Sequence, residues 1–266
     1  MRHSLQTAVA VAASLIAVAF ALSTFERWLT ARRRHELAWT GALAVFAAAA
    51  GALAAGAQAG WSGPTFRTFY LFGAIIDVPL LALGTVYLLA GNRAGDVAAW
   101  GVSLFAAFAT GVVVTSLFRA PLPAGELVQG SKVFGPLPRV LAATGSAGGA
   151  LVIFVGAGWS AWRVVRTGAP RRLLWSNTAI AAGTLILSGS GTLNSVFGAM
   201  TAFAVTLLIG IAVIFAGFLM ATASPGRPPA IPPADPWKPP TSRPARPAVD
   251  GGATSRPGRA AVRVRT

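Results

Sequence analysis

The chain has 266 residues, of which 55% are hydrophobic and only 11% charged, with a net charge of +15. A soluble domain carries about 25% charged residues, so a globule wetted over its whole surface is excluded. The absence of cysteine removes disulfides, thiolate metal sites and cysteine nucleophiles together.

Seven apolar runs approach or exceed the roughly 20 residues that a helix needs to cross the hydrocarbon core: Leu5–Phe25, Leu37–Ala59, Phe66–Leu89, Val97–Phe118, Val140–Trp162, Leu173–Leu193 and Val196–Met220. Each is apolar all round, without the polar stripe of a surface helix. None alternates as a barrel strand would. The prediction is an all-α membrane protein with seven transmembrane helices in residues 1–220.

The first run ends in an Ala19-Phe20-Ala21 stretch that resembles a signal-peptidase site. Its apolar length and the arginines that follow favour a retained helix. Arg27, Arg32, Arg33 and Arg34 lie between the first and second runs, Arg93 between the third and fourth, and Arg163, Arg166, Arg171 and Arg172 between the fifth and sixth. With the eight basic residues of the tail, one side of a seven-span layout holds seventeen, against Arg2, Arg67, Arg119, Lys132 and Arg139 on the other. Positively charged loops stay in the cytoplasm, so the N-terminus is expected outside and the tail inside. Trp28, Trp39, Trp61, Trp100, Trp159, Trp162 and Trp175 fall at or near run ends, the headgroup level that indole prefers.

Arg32-Arg33-Arg34 followed by Trp39 enters the second run, and Arg171-Arg172 followed by Trp175 enters the sixth. The likeness suggests a parallel repeat of spans one to three and five to seven about a linking fourth span. The third run, Phe66-Arg67-Thr68-Phe69-Tyr70-Leu71-Phe72-Gly73-Ala74-Ile75-Ile76-Asp77-Val78-Pro79 and on to Leu89, resembles a stretch of uncharacterised seven-helix membrane proteins of actinobacteria. The resemblance implies a multi-span protein of a bacterial plasma membrane and supplies no catalytic residue.

Asp77 is the ionisable residue placed deepest in any run. A carboxylate at the bilayer centre costs about 2.5–3.5 kcal/mol on insertion scales, and such residues mark functional sites by default. It is expected either to hold a proton or to accept hydrogen bonds from Thr110, Thr144, Ser146 or Thr184. Pro79, two residues on, removes a backbone donor and loosens the helix beside the carboxyl. The sixth run adds a polar face in Asn177, Thr184, Ser188, Ser190 and Asn194. The plainer reading of both features is interhelical glue, in which polar side chains tie helices together. Glycine pairs four apart, Gly56/Gly60 and Gly145/Gly149, are expected to let helices approach within the chain.

No paired histidines, no lysine in the last run and no nucleophile–base pair are present. Haem, retinal and zinc chemistry are therefore not expected, no cofactor or metal is assigned, and the chain reads as a non-enzyme. Residues 221–266 are rich in Pro, Arg, Ala and Gly and read as a disordered cytoplasmic tail. Its Arg243, Arg246, Arg256, Arg259, Arg263 and Arg265 are expected to meet the anionic headgroups of the bilayer or, with the prolines, a protein partner. Without interleaved aromatics, nucleic acid is not expected. A scaffold, sensor or envelope-associated role ranks first from sequence alone. A carrier of protons or a small solute through Asp77 ranks second.

Overall fold

The computed structural model describes residues 2–122, 130–167, 175–176, 178–187 and 200–222, all within one compact unit, Met1–Ala223. Every regular element among them is helical: α1 (Arg2–Ala31), α2 (Arg34–Ala59), α3 (Gly63–Phe69), a π-helical segment (Tyr70–Ile76), α4 (Asp77–Thr115), α5 (Gly130–Val133), α6 (Pro136–Thr167), α7 (Thr178–Leu187) and α8 (Met200–Thr222). Among the described residues, four helical runs are long and apolar enough to cross a membrane, namely Thr7–Ala31, Arg34–Ala59, Gly63–Thr115 and Pro136–Thr167.

Outward faces carry large apolar side chains where a water-soluble bundle would place charges. On α1, Val11, Leu15, Val18, Leu22, Phe25 and Leu29 are exposed at alternating steps of four and three. Val97, Trp100, Leu104 and Phe108 on α4, and Leu151, Val155, Trp159 and Trp162 on α6, are likewise exposed at steps of three or four. Stripes of this extent require an apolar surround.

α1 and α2 form an antiparallel hairpin. Ser14 Oγ donates to Ala47 O at 2.9 Å, and the Thr24 and Thr40 hydroxyls meet at 2.9 Å. Ala10, Ala13 and Ala17 lie buried on one helix, and Ala42, Ala50, Ala54 and Ala57 on the other. Small residues let the backbones approach, which is how helices associate when no hydrophobic drive separates them from lipid. The chain reverses through Arg32, whose φ of 52° is left-handed, with its N–H on Trp28 O at 2.7 Å.

α2 stops at Gly60 (φ 85°), and α3 restarts behind Ser62, whose hydroxyl accepts from Thr65 N. From Gly63 to Thr115 the chain is helical except at Gly91 (φ 83°, ψ 178°). Gly91 is a reversal. Arg67 Nη2 donates to Ser116 O at 2.8 Å and the Phe66 and Phe118 rings lie 6.2 Å apart. A straight helix of that length would separate them by about 75 Å. The run therefore comprises two antiparallel helices, matching the expected division between Phe66–Leu89 and Val97–Phe118.

At the Arg67 end, Phe66, Tyr70, Phe118 and Phe134 stack into an aromatic cluster joined by Trp61 and Phe69. Phe134 and Val133, from the segment before α6, are fully buried there, and Arg119 N donates to Val133 O. The segment between α4 and α6 thus packs one turn of helix, α5, against the bundle through Val133. Trp61 and Trp39 also depart from a headgroup role. Trp61 is buried against Gly56, and Trp39 donates its indole N–H to Leu81 O at 3.3 Å. Of the other five expected at the headgroup level, Trp100, Trp159, Trp162 and Trp175 are exposed, and Trp28 is half-buried and stacked on Phe25 at 5.4 Å.

Candidate functional site

Asp77 stands at the junction of two backbone irregularities. The π-helix ends on it, with its N–H bonded to Phe72 O five residues back, and Pro79 follows inside the first turn of α4. A π turn inserts one residue into the ladder and rotates everything downstream by about 100°. Proline supplies no donor, so carbonyls four or five residues upstream lose a partner. Helix α6 meets this need. Ser146 Oγ donates to Ala74 O at 2.9 Å. A Cβ on Gly145 would lie 2.7 Å from Ile75 O, and one on Gly149 would lie 2.9 Å from the Val78 backbone. The Gly145/Gly149 pair is therefore an intramolecular docking face for the irregular segment, as the spacing predicted.

The Asp77 side chain is 4% exposed and its Oδ1 has no hydrogen-bond partner. It lines a cavity of about 180 Å³ at the centre of the bundle. Phe46, Ala49 and Ala50 of α2 form one wall; Phe69, Gly73, Ala74, Val78 and Leu81 surround the carboxyl on its own stretch of helix. Ser146 of α6, Thr184 and Leu187 of α7, and Leu207 of α8 complete the described lining.

None of the four hydroxyls expected to serve Asp77 donates to it. Thr110 bonds Ala106 O and Thr144 bonds Val140 O, each within its own helix. Ser146 and Thr184 do reach the cavity, but their protons go to Ala74 O and Ile180 O. A hydroxyl has one donor and two acceptor sites. What these two oxygens offer the cavity is lone pairs.

Pro79 is buried beside Asp77 in α4. Asn177, Ser188, Ser190 and Asn194, and the tail arginines Arg243 through Arg265, lie outside the described residues. Of the polar residues expected at the site, the described part of the bundle places Asp77, Ser146 and Thr184 around one cavity.

A smaller cavity of about 60 Å³ adjoins the first, sharing Leu81 and Thr184 with it, and is walled besides by Thr85 and by apolar side chains including Phe20, Trp39 and Phe218. The Phe218 ring also lies under the Arg27 guanidinium at 5.0 Å. Arg27 pairs with Glu36 through Nη2 at 2.8 Å and Nε at 3.1 Å, both to Oε1. His35 Nε2 approaches the same oxygen at 3.5 Å. Glu36 is 1% exposed and its Oε2 is unpartnered. Sequence reasoning missed this second buried carboxyl. The only available signal was an acid embedded in an arginine loop nine residues from a possible partner. Close by, Arg34 pairs with Asp96, which also accepts from Tyr87 Oη at 2.9 Å, tying the start of α2 to the segment after Gly91.

No family model, curated protein or solved structure matches this chain. The functional reading therefore rests on the geometry of the chain itself.

Proposed function

We propose that the chain is a carrier of the bacterial plasma membrane that moves a proton, or a small solute in exchange for one, with Asp77 as the group that is protonated in turn. The observation that carries this reading is the cavity: a buried carboxyl with an unpartnered oxygen faces an internal space where five helices converge. A carboxyl serving as glue spends its oxygens on neighbouring helices. This one does not. Its position beside a π turn and a proline adds a backbone able to adjust, since such irregularities recur at functional sites. Sequence alone ranks a scaffold above a carrier; the cavity reverses that order.

The reading includes seven spans, with the N-terminus outside and the tail in the cytoplasm. The reversal at Gly91, the apolar outer faces and the seventeen-to-five split of basic residues support it. It also includes the repeat of spans one to three and five to seven, supported by the matching Arg/Trp entries of spans two and six, and a tail that holds anionic headgroups.

Infrared difference spectroscopy on the protein in lipid vesicles tests the central step without knowledge of the cargo. The expected result is a protonated-carboxyl band that changes as the bath is moved from acid to alkaline pH, and that is missing from Asp77→Asn. A wild-type band that stays fixed across that range, or one that survives in Asp77→Asn, would overturn the assignment of Asp77 as the exchanging group.

A further inference from the structure

We infer that the cargo of the Asp77 cavity is a small organic ammonium ion, with one N–H donor group and a compact apolar body, taken up in exchange for the Asp77 proton. This inference rests on the carrier reading above and assigns the chemistry of what is carried.

Hydrogen-bond direction comes first. Among the described lining residues, the Ser146 and Thr184 hydroxyls have already given their protons to Ala74 O and Ile180 O and offer lone pairs, and the unpartnered Asp77 carboxyl becomes a third acceptor once it gives up its proton. No described lining residue is Lys, Arg or His. An anion would find no countercharge among the described lining, and would face a carboxyl that turns negative when it ionises. A sugar would present hydroxyls in number to a wall that is otherwise aliphatic or aromatic, leaving them unpaired at a cost of more than about tenfold in affinity each. A group that only donates, and carries positive charge, complements the site.

Size and lining choose among cations. An apolar cavity of about 150 Å³ accepts benzene, and this one is about 180 Å³. The space suits a ring-sized apolar body with one short aminomethyl arm. Phe46 and Phe69 put aromatic rings in the wall, which attract a cation through the ring quadrupole. A bare sodium ion would leave most of this apolar volume unfilled and find too few oxygens, since hard cations gather about six.

Exchange follows from the same geometry. A lone carboxylate in an apolar space is costly, so the empty cavity holds Asp77 as the neutral acid. When the ammonium enters, the Oδ–H proton leaves to water, and the carboxylate so formed accepts from the ligand N–H. One positive charge replaces another, and the cavity stays neutral overall in both states.

The test uses the full chain in lipid nanodiscs and benzylammonium as the probe. Calorimetry at neutral pH, repeated in two buffers of different protonation enthalpy, reads affinity and proton release together. The expected result is saturable binding with close to one proton released per ligand. Benzyl alcohol and benzoate should bind at least tenfold more weakly, and Asp77→Asn should weaken benzylammonium at least tenfold. Thr184→Val keeps the side-chain shape and removes one acceptor, so it should weaken binding several-fold with an unchanged melting temperature. Benzoate binding as well as benzylammonium, sodium displacing it at equal concentration, or Asp77→Asn binding like wild type would each overturn the inference. If the infrared band exchanges while benzylammonium fails to bind, the cargo class is wrong and the carrier reading stands. If benzylammonium binds and the band is fixed, the carrier reading falls instead.

Discussion

Glu36 and Asp77 are both carboxyls with almost no surface, 1% and 4% exposed respectively, and the bundle holds them in opposite ways. Glu36 sits where α1 turns into α2. It receives two hydrogen bonds from Arg27 and lies beside His35, so its charge is matched on the spot. The helices around it are regular, and the Thr24–Thr40 pair is nearby in the same hairpin. Among the described residues Asp77 has no cation and its Oδ1 no donor, and the helix that carries it is irregular on both sides. A buried charge that is paired is a structural commitment, since removing either partner strands the other. A buried carboxyl without a partner stabilises nothing by itself, and is retained where its exchange of a proton or ligand matters.

The sharpest way to break the contrast is to remove the partner that Asp77 lacks. Arg27→Ala leaves Glu36 buried with His35 alone and should cost about 3 kcal/mol. The figure sits at the low end of the range for buried pairs because the Arg27 side chain is itself 36% exposed. Unfolding in mixed detergent–denaturant micelles, followed by tryptophan fluorescence, measures it. A loss under about 0.5 kcal/mol, the range of an exposed pair, would mean that the Glu36 end is as weakly held as a surface contact and the comparison fails.

A smaller effect comes from the surface that supports Asp77. Gly145→Ala places a methyl 2.7 Å from Ile75 O and 3.2 Å from the Phe105 ring, so α6 must retreat. Overpacking of this kind costs about 2 kcal/mol. The same variant should weaken the Ser146–Ala74 hydrogen bond and with it the proline-loosened turn. Gly148→Ala, whose Cβ meets nothing within 4 Å, is the control and should be neutral or slightly stabilising. Equal losses in the two variants would refute the docking role of Gly145.

The two carboxyls also differ in how far each could be read from sequence. Asp77 was legible because an acid in an unbroken apolar run has no other account, and Pro79 marked the helix as irregular. The long helices were legible too, with α2 beginning at Arg34 where Leu37 was expected. The reason is that a helix can run on past its apolar stretch through arginines, whose long side chains carry their charge away from it, as Arg34 does in pairing with Asp96. The turn at Gly91 was visible as a polar gap between two apolar runs. The π segment was not, because Tyr70–Ile76 differs from an ordinary helix only in which carbonyl each N–H finds, and α6 helps decide that through Ser146. Thr110 and Thr144 were expected near Asp77, yet their hydroxyls satisfy their own helices, an option open to any helical threonine. Glu36 was hidden for the converse reason. Its neighbours in sequence are solvated arginines, and only the reversal at Arg32 brings Arg27 against it.

The smallest expected change carries the most information about the pair. Asp77→Asn keeps the volume of the side chain and removes its ability to carry charge, so no packing is lost and no cation is stranded. The amide brings two donors into a cavity whose described oxygens, Ser146 and Thr184, offer lone pairs. The substituted amide brings two donors where the neutral acid brings one, so stability in the mixed-micelle assay should rise by no more than about 1 kcal/mol. Glu36→Gln should move the other way, because it leaves Arg27 facing a neutral amide in place of its counter-ion. Opposite signs for two isosteric carboxyl-to-amide changes in one bundle would separate a structural acid from a functional one without any assay of transport. If Asp77→Asn instead destabilised the protein as much as Glu36→Gln, the Asp77 carboxyl would be holding helices together, and the carrier reading would lose its central observation.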